Sequence, residues 1–252
     1  MLKKNIPAVY TLGIILFLVS CAKEGPTGPT GNPGPAYEGT ISGYVSLYDK
    51  YGSKATTDLG QVSIVLSGSN VTTNPDAATG SYSFTSVYTG TYSISASTDS
   101  GYAATILYDV SFVSGTLYKD IKLSAIPDSF LTSCSAYYNT GSANDSLVIT
   151  MQPDTRIRNC IVFASSVSTV NNAPSNYLLY YVVSIPPNAT SVTLAVPGQD
   201  LTNVGFTAGS TVYFAAYSYV VNDGSVYEDP STGNKVFNAV NFNAITTSAI
   251  VP

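Results

Sequence analysis

The sequence feature that most constrains the fold is a repeated alternation between apolar and hydroxyl-bearing residues. Tyr82 and Phe84 alternate with Ser and Thr, and Tyr92 and Ile94 do so again further along the chain. Successive side chains of a β-strand point to opposite faces, so this period of two predicts strands that bury one face. The pattern also places Gly80 and Gly90 at turns, where a positive φ is often needed.

The rest of the chain supports an all-β fold. Gly, Pro, Ser, Thr, Tyr and Val dominate, with 20 Tyr, 9 Phe and no Trp. Such residues favour pleated strands joined by tight turns. After the N-terminal segment, no stretch keeps an apolar period near 3.6 residues, so we expect little or no helix.

Turn and strand motifs follow one another over residues 38–124: Gly43-x-Val45, Val62-x-Ile64-Val65-Leu66-x-Gly68, Thr79-Gly80-x-Tyr82-x-Phe84, Gly90-x-Tyr92-x-Ile94-x-Ala96, Gly101-Tyr102 and Asp120-Ile121-x-Leu123. In this order they resemble a carboxypeptidase regulatory-like domain, over roughly a third of the chain. That family folds as a transthyretin-like β-sandwich of about seven strands and serves as an accessory module, and no zinc peptidase domain accompanies it here. The resemblance covers residues 38–124 and gives a first sandwich over 38–125, ended by Ala125-Ile126-Pro127.

A second sandwich is predicted over residues 126–252. Strand patterns recur at Asp145–Met151, Cys160–Ala164, Tyr177–Ile185 and Ser191–Val196. The stretch from Ala208 to Tyr217 resembles the Gly-Thr-x-Tyr entry to the sixth strand of a fibronectin type III or immunoglobulin-like domain. This resemblance implies that Tyr213 is a corner tyrosine whose hydroxyl bonds back to the backbone. Another kind of β-sandwich remains an alternative, because the spacing from Gly209 to Tyr213 is one residue long.

The N-terminal segment carries an export signal. Lys3 and Lys4 precede an apolar run of about 14 residues, too short for a spanning helix of about 20. Leu18-Val19-Ser20-Cys21 resembles the lipobox of bacterial lipoproteins. That resemblance implies removal of residues 1–20 and a diacylglycerol on the Cys21 thiol. Because Ala22, not Asp, follows the Cys, it also implies the outer membrane. An ordinary signal with a chance Cys is the alternative.

A short Gly/Pro-rich segment follows Cys21, and together they form a predicted tether region, residues 21–37, before the first sandwich. Gly recurs every third residue from Gly25 to Gly34, as in collagen. Collagen needs many such triplets and three chains, so a stiff extended tether is favoured over a trimerising stub.

Composition also excludes several classes of function. The chain has no His, which removes Ser-His-Asp triads, Cys-His pairs and histidine metal sites. A net charge of −5 argues against nucleic acid as a partner. The carboxylates are scattered. We therefore predict no enzyme, cofactor or metal, although Asp223, Glu228 and Asp229 could in principle hold a hard cation in what reads as a solvated hairpin.

Five positions in the second half are candidate sites. Cys134 and Cys160 form an even pair that either makes a structural disulfide, in an oxidising compartment, or packs as two small buried thiols. Tyr137-Tyr138 and Tyr180-Tyr181 each place one tyrosine outward if they lie in strands buried on one face, so Tyr138 and Tyr180 are candidates for a binding face. Asp145-Ser146-Leu147 resembles the Asp-Ser/Thr-aliphatic O-glycosylation motif of some bacterial lipoproteins.

These observations predict a non-enzymatic lipoprotein anchored in the outer membrane by its N-terminal lipid. Its two β-sandwiches would serve adhesion or envelope protein interaction. The alternative is a glycan-binding accessory lipoprotein of a nutrient-uptake system. We expect a monomer with a protein or polysaccharide ligand, and the side of the outer membrane stays open.

Overall fold

A computed structural model describes residues 37–99, 101–139, 144–222 and 224–252. The predicted signal segment, Cys21 and the tether lie outside the described residues. Residues 37–252 form one compact unit. The protein is all-β, and within the described residues the helical segments are a 3-10 turn at Leu59–Gln61 and one short helix. No helix among the described residues is long and apolar enough to cross a membrane.

The first half of the unit is a sandwich of two sheets. Its strands are β1 (Glu38–Tyr48), β2 (Lys54–Ala55), β3 (Ser63–Ser67), β4 (Val71–Thr73), β5 (Ser81–Tyr88), β6 (Gly90–Ser97), β7 (Thr105–Phe112), β8 (Gly115–Tyr118) and β9 (Ile121–Ser124). One sheet has the order β2-β1-β5, with β8 and β9 each pairing in parallel with the long first strand. The other has the order β4-β3-β6-β7.

The alternation that predicted these strands is present in the core. Tyr82 and Phe84 are buried on the inner face of β5, and Ile94 is buried in β6. Gly80 has the predicted positive φ, 74°. Gly90 does not, so that prediction is wrong: it begins β6 in extended pairing with Phe112 instead of occupying a turn.

The second half contains a sandwich of three strands on four. Its elements are β10 (Leu131–Asn139), β11 (Asn144–Met151), β12 (Arg158–Ser165), β13 (Leu179–Ile185), β14 (Ser191–Pro197), α1 (Gly198–Asn203), β15 (Thr211–Tyr219), β16 (Val226–Glu228), β17 (Lys235–Phe237) and β18 (Ile245–Ile250). The two sheets have the orders β10-β11-β14 and β13-β12-β15-β18, and a separate hairpin pairs β16 with β17.

The two central strands of this four-stranded sheet, β12 and β15, are buried on both faces. Their inner face packs with the three-stranded sheet around residues such as Val162 and Phe214. On their outer face, Phe163 packs against Tyr217 and against Phe237 of the hairpin. A strand buried on both faces reads as a continuous apolar run, which explains the sequence Cys160-Ile-Val-Phe-Ala.

Tyr213 does not form the predicted tyrosine corner. Tyr213 lies near the start of β15, on the outer face of the sheet, and is half-buried against the cluster that contains Phe163 and Tyr217. Its hydroxyl has no hydrogen bond among the described residues. Because Tyr213 shares its face with Ala215 and Tyr217, it points toward the hairpin side of the sheet and not toward the core between the two sheets.

Candidate functional site

An open cleft of about 520 Å³ lies between β7 of the first half and β16 of the second. This volume falls within the range of about 300–1,000 Å³ typical of small-molecule sites. One wall comes from each half of the unit, so the cleft exists only because the two halves pack together. Its lining includes Leu107, Tyr108, Asp109, Lys119, Tyr227 and Glu228.

The β7 wall is shaped by a β-bulge. The register between β6 and β7 shifts between Tyr92 and Ile94, which leaves an extra residue in β7. Asp109, at the bulge, has a φ of 52°, a left-handed conformation that is uncommon for a residue other than Gly. Strict alternation would bury either Tyr108 or Asp109, but the bulge exposes both before Val110 returns to the core. Bulges often re-aim side chains in this way beside functional sites.

The β16 wall is a hairpin whose loop is held by its own hydrogen bonds. The Asp229 carboxylate accepts bonds from the backbone N–H of Ser231, at 2.9 Å, and from its hydroxyl, at 2.7 Å. These bonds lower the pKa of Asp229, with the hydroxyl of Ser231 as the largest cause. The backbone N–H of Gly233 donates to the Asp229 carbonyl and closes the turn. The wall therefore has a defined position.

The hairpin is also fixed to both halves of the unit. The Tyr177 hydroxyl donates to the Lys235 carbonyl. Phe237 packs on Tyr180 at a ring-centroid distance of 4.6 Å. Directly after β17, the Asn238 side-chain amide donates to the Ala104 carbonyl at 2.7 Å, which ties the hairpin to the residue before β7. These contacts set the distance between the two walls.

Tyr108 and Tyr227 meet across the cleft. Their ring centroids are 6.0 Å apart and their planes are tilted by 53°. Burial raises the pKa of Tyr227, and Tyr108 and Asp229 add smaller contributions, so this phenol stays protonated at neutral pH. The pair gives the cleft aromatic surface together with hydroxyls that both donate and accept hydrogen bonds.

Charged groups surround this aromatic pair. Asp109 and Glu228 are exposed at the cleft, and Lys119 is half-buried in its lining. A smaller cavity of about 200 Å³ continues from Leu107 and Tyr227 toward Asp120 and Lys122. Together the two cavities present tyrosine rings, tyrosine hydroxyls and charged groups of both signs along one continuous surface.

Tyr138 and Tyr180, the predicted binding face, do not share a site. Tyr138 is about half exposed at the end of β10, and its neighbour Tyr137 is exposed as well. Tyr180 is half-buried on β13, where it packs against Phe237 and Tyr177. The two belong to different sheets. As expected, Tyr180 lies on the outer face of its sheet while Tyr181 packs against the inner core, but Phe237 of the hairpin covers the Tyr180 ring, so this ring does not form an exposed binding face.

Cys134 and Cys160 face each other from opposite sheets of the second sandwich. Both are free, buried thiols in one apolar cluster. Burial raises the pKa of Cys134 to about 11 and that of Cys160 to about 12. The structure therefore shows the alternative in which they pack as small apolar side chains, and oxidation to a bridge stays a prediction.

Ser146 lies in the middle strand of the three-stranded sheet. It pairs with Tyr137 on one side and with Ala195 on the other, and it is half-buried. The Asp145 side chain beside it is fully buried, and neither carboxylate oxygen has a hydrogen bond among the described residues. Burial raises the pKa of Asp145 to about 6. O-glycosylation of Ser146 stays a prediction.

The predicted acidic trio is only partly described. Glu228 ends β16 and Asp229 begins its turn, whereas Asp223 lies outside the described residues. Within the described ranges, no group of three or more His, Cys, Asp or Glu is placed to hold a metal. The Asp229 carboxylate is occupied by its own loop.

Sequence reasoning missed Tyr108 and Tyr227 as a pair. A local signal was present in Thr105–Phe112, where the apolar positions change parity between Leu107 and Val110. That change indicates a bulge, but it does not reveal which residue of the other half faces it. Tyr227 sits in a short strand with no comparable signal.

Comparison with known proteins leaves the family open. No protein-family model matches the chain, and no curated protein matches it. A provisionally named carbohydrate binding protein of Bacteroides uniformis has 17% identity and a TM-score of 0.32, covering 85% of this chain and 99% of that one. A DUF3823 family protein of Parabacteroides merdae has 13% identity and a TM-score of 0.29, and the match covers 84% of this chain and 99% of that one. Another DUF3823 family protein, from Bacteroides uniformis, has 16% identity and a TM-score of 0.29, and the match covers 86% of this chain and 100% of that one. Similarities at this level assign neither a family nor a ligand.

Proposed function

We propose that this chain is a non-enzymatic glycan-binding lipoprotein that holds its ligand in the cleft between β7 and β16. One observation carries the proposal: Tyr108 and Tyr227, from the two halves of the unit, meet across an open cleft. A bulge with a left-handed Asp109 exposes one of these rings. Unusual backbone at a concave surface is typical of binding sites.

The chemistry of the cleft suits a carbohydrate. Tyrosine rings present an amphipathic surface that covers the apolar C–H face of a sugar, while their hydroxyls bond to its polar edge. The carboxylates of Asp109 and Glu228 accept bonds from sugar hydroxyls, and Lys119 donates. The continuation toward Asp120 favours an oligosaccharide over a monosaccharide.

The same cleft is poorly arranged for glycoside hydrolysis. A glycosidase needs two carboxyl groups flanking the bond, and the general acid among them needs a raised pKa, which an apolar pocket supplies. Asp109 and Glu228 are both exposed at an open surface. The chain also lacks His, the commonest acid–base residue at neutral pH. We therefore include the absence of catalysis in the proposal.

Anchoring at the outer membrane is part of the same proposal. It depends on the lipobox Leu18–Cys21 and on the tether that follows. Lipid contributes about 0.8 kcal/mol per buried CH₂, so two or three acyl chains hold a protein durably. A monomer presented at the end of a stiff tether can sample long polysaccharides near the membrane.

Affinity electrophoresis tests the cleft. Native gels that contain soluble polysaccharides, one per gel, should retard the wild-type protein in at least one case. Tyr108→Ala and Tyr227→Ala should each weaken that retardation about tenfold, the loss expected of a central aromatic anchor. Tyr118→Ala is the matched control, because Tyr118 is 73% exposed on β8 and lies outside the cleft lining.

Two outcomes would overturn the assignment. One is retardation that Tyr118→Ala weakens as much as Tyr227→Ala does. The other is retardation that is lost only in Tyr138→Ala, which would restore the face predicted from sequence. Release of reducing ends from a bound polysaccharide would contradict the absence of catalysis.

A second function, adhesion or envelope protein interaction, is favoured by an exposed tyrosine surface on the first sandwich. Tyr44, Tyr88 and Tyr118 are 52–73% exposed on the outer face of the sheet that contains β1, β5 and β8. Register places Tyr118 beside Ser42, two residues from Tyr44 on the same strand. Tyrosine is enriched at protein interfaces, so this face suits a flat protein partner.

Protease treatment of intact cells tests where this face is presented. Loss of the 37–252 region from intact wild-type cells, with periplasmic markers spared, would support presentation at the cell surface. Cys21→Ala is the control for anchoring and should release the protein from the membrane fraction. Full protection until lysis would contradict adhesion to other cells and leave envelope proteins as the partners.

A further inference from the structure

A second cavity, of about 150 Å³, contains the most deeply buried cation among the described residues. It lies where the turn after β1, at Lys50 and Tyr51, meets the segments around Phe130 and Gln152. Arg158, the first residue of β12, lines it and is only 8% exposed. The cavity is separate from the tyrosine cleft, and its lining shares no residue with that cleft.

The Arg158 guanidinium is only partly satisfied. Its Nη2 group donates to the Gln152 carbonyl, and the Phe130 ring covers it at 4.1 Å from the ring centroid. Its Nε is buried and has no acceptor among the described residues. Burying a charge costs free energy unless the charge is paired and hydrogen-bonded. The site therefore favours an added acceptor, above all a negatively charged one.

The two carboxylates of the cavity are occupied elsewhere. Asp128 forms an ion pair with Lys50. Asp154 accepts bonds from the Tyr51 hydroxyl at 3.2 Å and from the backbone N–H of Arg156 at 2.9 Å, and the Arg156 side chain lies 3.5 Å away. Neither carboxylate forms an ion pair with Arg158 in the described structure.

Cations and carboxylates balance in number around this cavity, but Arg158 has no ion-pair partner in the described structure. Lys50 and Arg158 line the cavity together with Asp128 and Asp154. Just outside the lining, Arg156 stacks on the Tyr51 ring, 3.2 Å from its centroid, and pairs with Asp154. Arg158 is therefore the buried cation here that an added anion would pair.

We propose that this cavity binds the oxyanion group of a small ligand, with Arg158 as its main donor. The shared chemistry is a carboxylate, as on an acidic sugar, or a free phosphate. Arginine presents several N–H groups in a planar fork that matches either group. Phe130 and Tyr51 supply flat apolar surface for the rest of the ligand. This site is independent of the glycan cleft.

Side-chain NMR of the full-length protein in mild detergent tests the proposal. The Nε–H resonance of Arg158, assigned by its loss in Arg158→Lys, should shift and saturate as sodium glucuronate or sodium phosphate is added at low salt. Glucose should leave it unchanged. Saturation by glucuronate alone would identify an acidic sugar as the ligand class, and saturation by phosphate alone would identify a phosphate group.

Calorimetry with the effective probe provides the second measurement. Arg158→Lys keeps the charge but loses the fork, and it should weaken binding about tenfold or more. Lys54→Gln is the control, because it removes a cation from β2 that does not line the cavity, and it should bind as wild type does. If Arg158→Lys fails to fold, Lys50→Gln should still weaken binding severalfold. An unmoved Nε–H resonance with both anions, or equal weakening in Lys54→Gln, would overturn the proposal.

Discussion

Replacing Gly224 by Ala should drive the two halves of the unit apart at the cleft. A Cβ built on Gly224 would lie 2.5 Å from both the carbonyl oxygen and the Cβ of Lys122 in β9. Ordinary contacts begin near 3.4 Å, so the junction must open by about 1 Å. The obstructing atoms include backbone, which cannot move aside as the end of a flexible side chain can. Gly224 and Lys122 also line the smaller cavity beside Tyr227.

Two opposing effects set the magnitude of this change. Gly→Ala at a compatible site stabilises a protein by about 0.4–1 kcal/mol, because the unfolded chain loses freedom. Overpacking costs about 1–3 kcal/mol. With contacts this short, overpacking wins, and we expect the free energy of unfolding to fall by about 0.5–2 kcal/mol. The displaced Lys122 should also weaken ligand retention in the cleft.

Urea unfolding followed by tyrosine fluorescence measures the change, since the chain has no Trp. Gly90→Ala is the matched control, because its new Cβ would meet only the Tyr92 ring at 3.4 Å. It should be neutral or slightly stabilising. A Gly224→Ala protein as stable as Gly90→Ala, with unchanged retardation on polysaccharide gels, would refute the contact between the two halves on which the cleft depends.

Three further predictions concern buried groups. The pKa of Asp145 is raised to about 6 by burial, above its unfolded value near 3.8, so its contribution to stability is present at pH 4 and lost as pH rises through 6. The free energy of unfolding of Asp145→Asn, measured by urea titration, should therefore exceed that of the wild type by about 1–3 kcal/mol at pH 7, and the difference should vanish near pH 4. An equal difference at both pH values would contradict this prediction. Because the pKa values of Cys134 and Cys160 are raised, both thiols should react slowly with a thiol reagent at pH 8, at least about a hundredfold more slowly in the native protein than in urea. Rapid labelling of the native protein would argue against their burial. Tyr177→Phe removes the bond to the Lys235 carbonyl and should cost about 1 kcal/mol, seen as faster amide hydrogen exchange in β17 than in β14; uniform exchange would argue against a local role.

The strands were predictable because each depends on a local pattern. Alternation marked β5, β6 and β14, and the buried run around Phe163 marked β12, although that run gave no sign of the hairpin that covers it. The outward orientation of Tyr180 was predictable, but its burial was not, since Phe237, which covers its ring, lies 57 residues further along the chain. A strand pattern reports which residues avoid water but not which partner excludes the water.

The sequence by itself determined the all-β class and the inward face of the alternating strands, because side-chain period and turn residues are local properties of the chain. The outer-membrane address stays a prediction from the segment Leu18–Cys21. Only the tertiary structure decided where a ligand can bind. Tyr108 and Tyr227 are more than a hundred residues apart, as are Lys50 and Arg158. Each pair meets only when the two halves dock, through contacts such as Asn238 with Ala104 and Gly224 with Lys122. Long-range pairing of this kind follows from shape and packing over the whole surface, which no local period encodes.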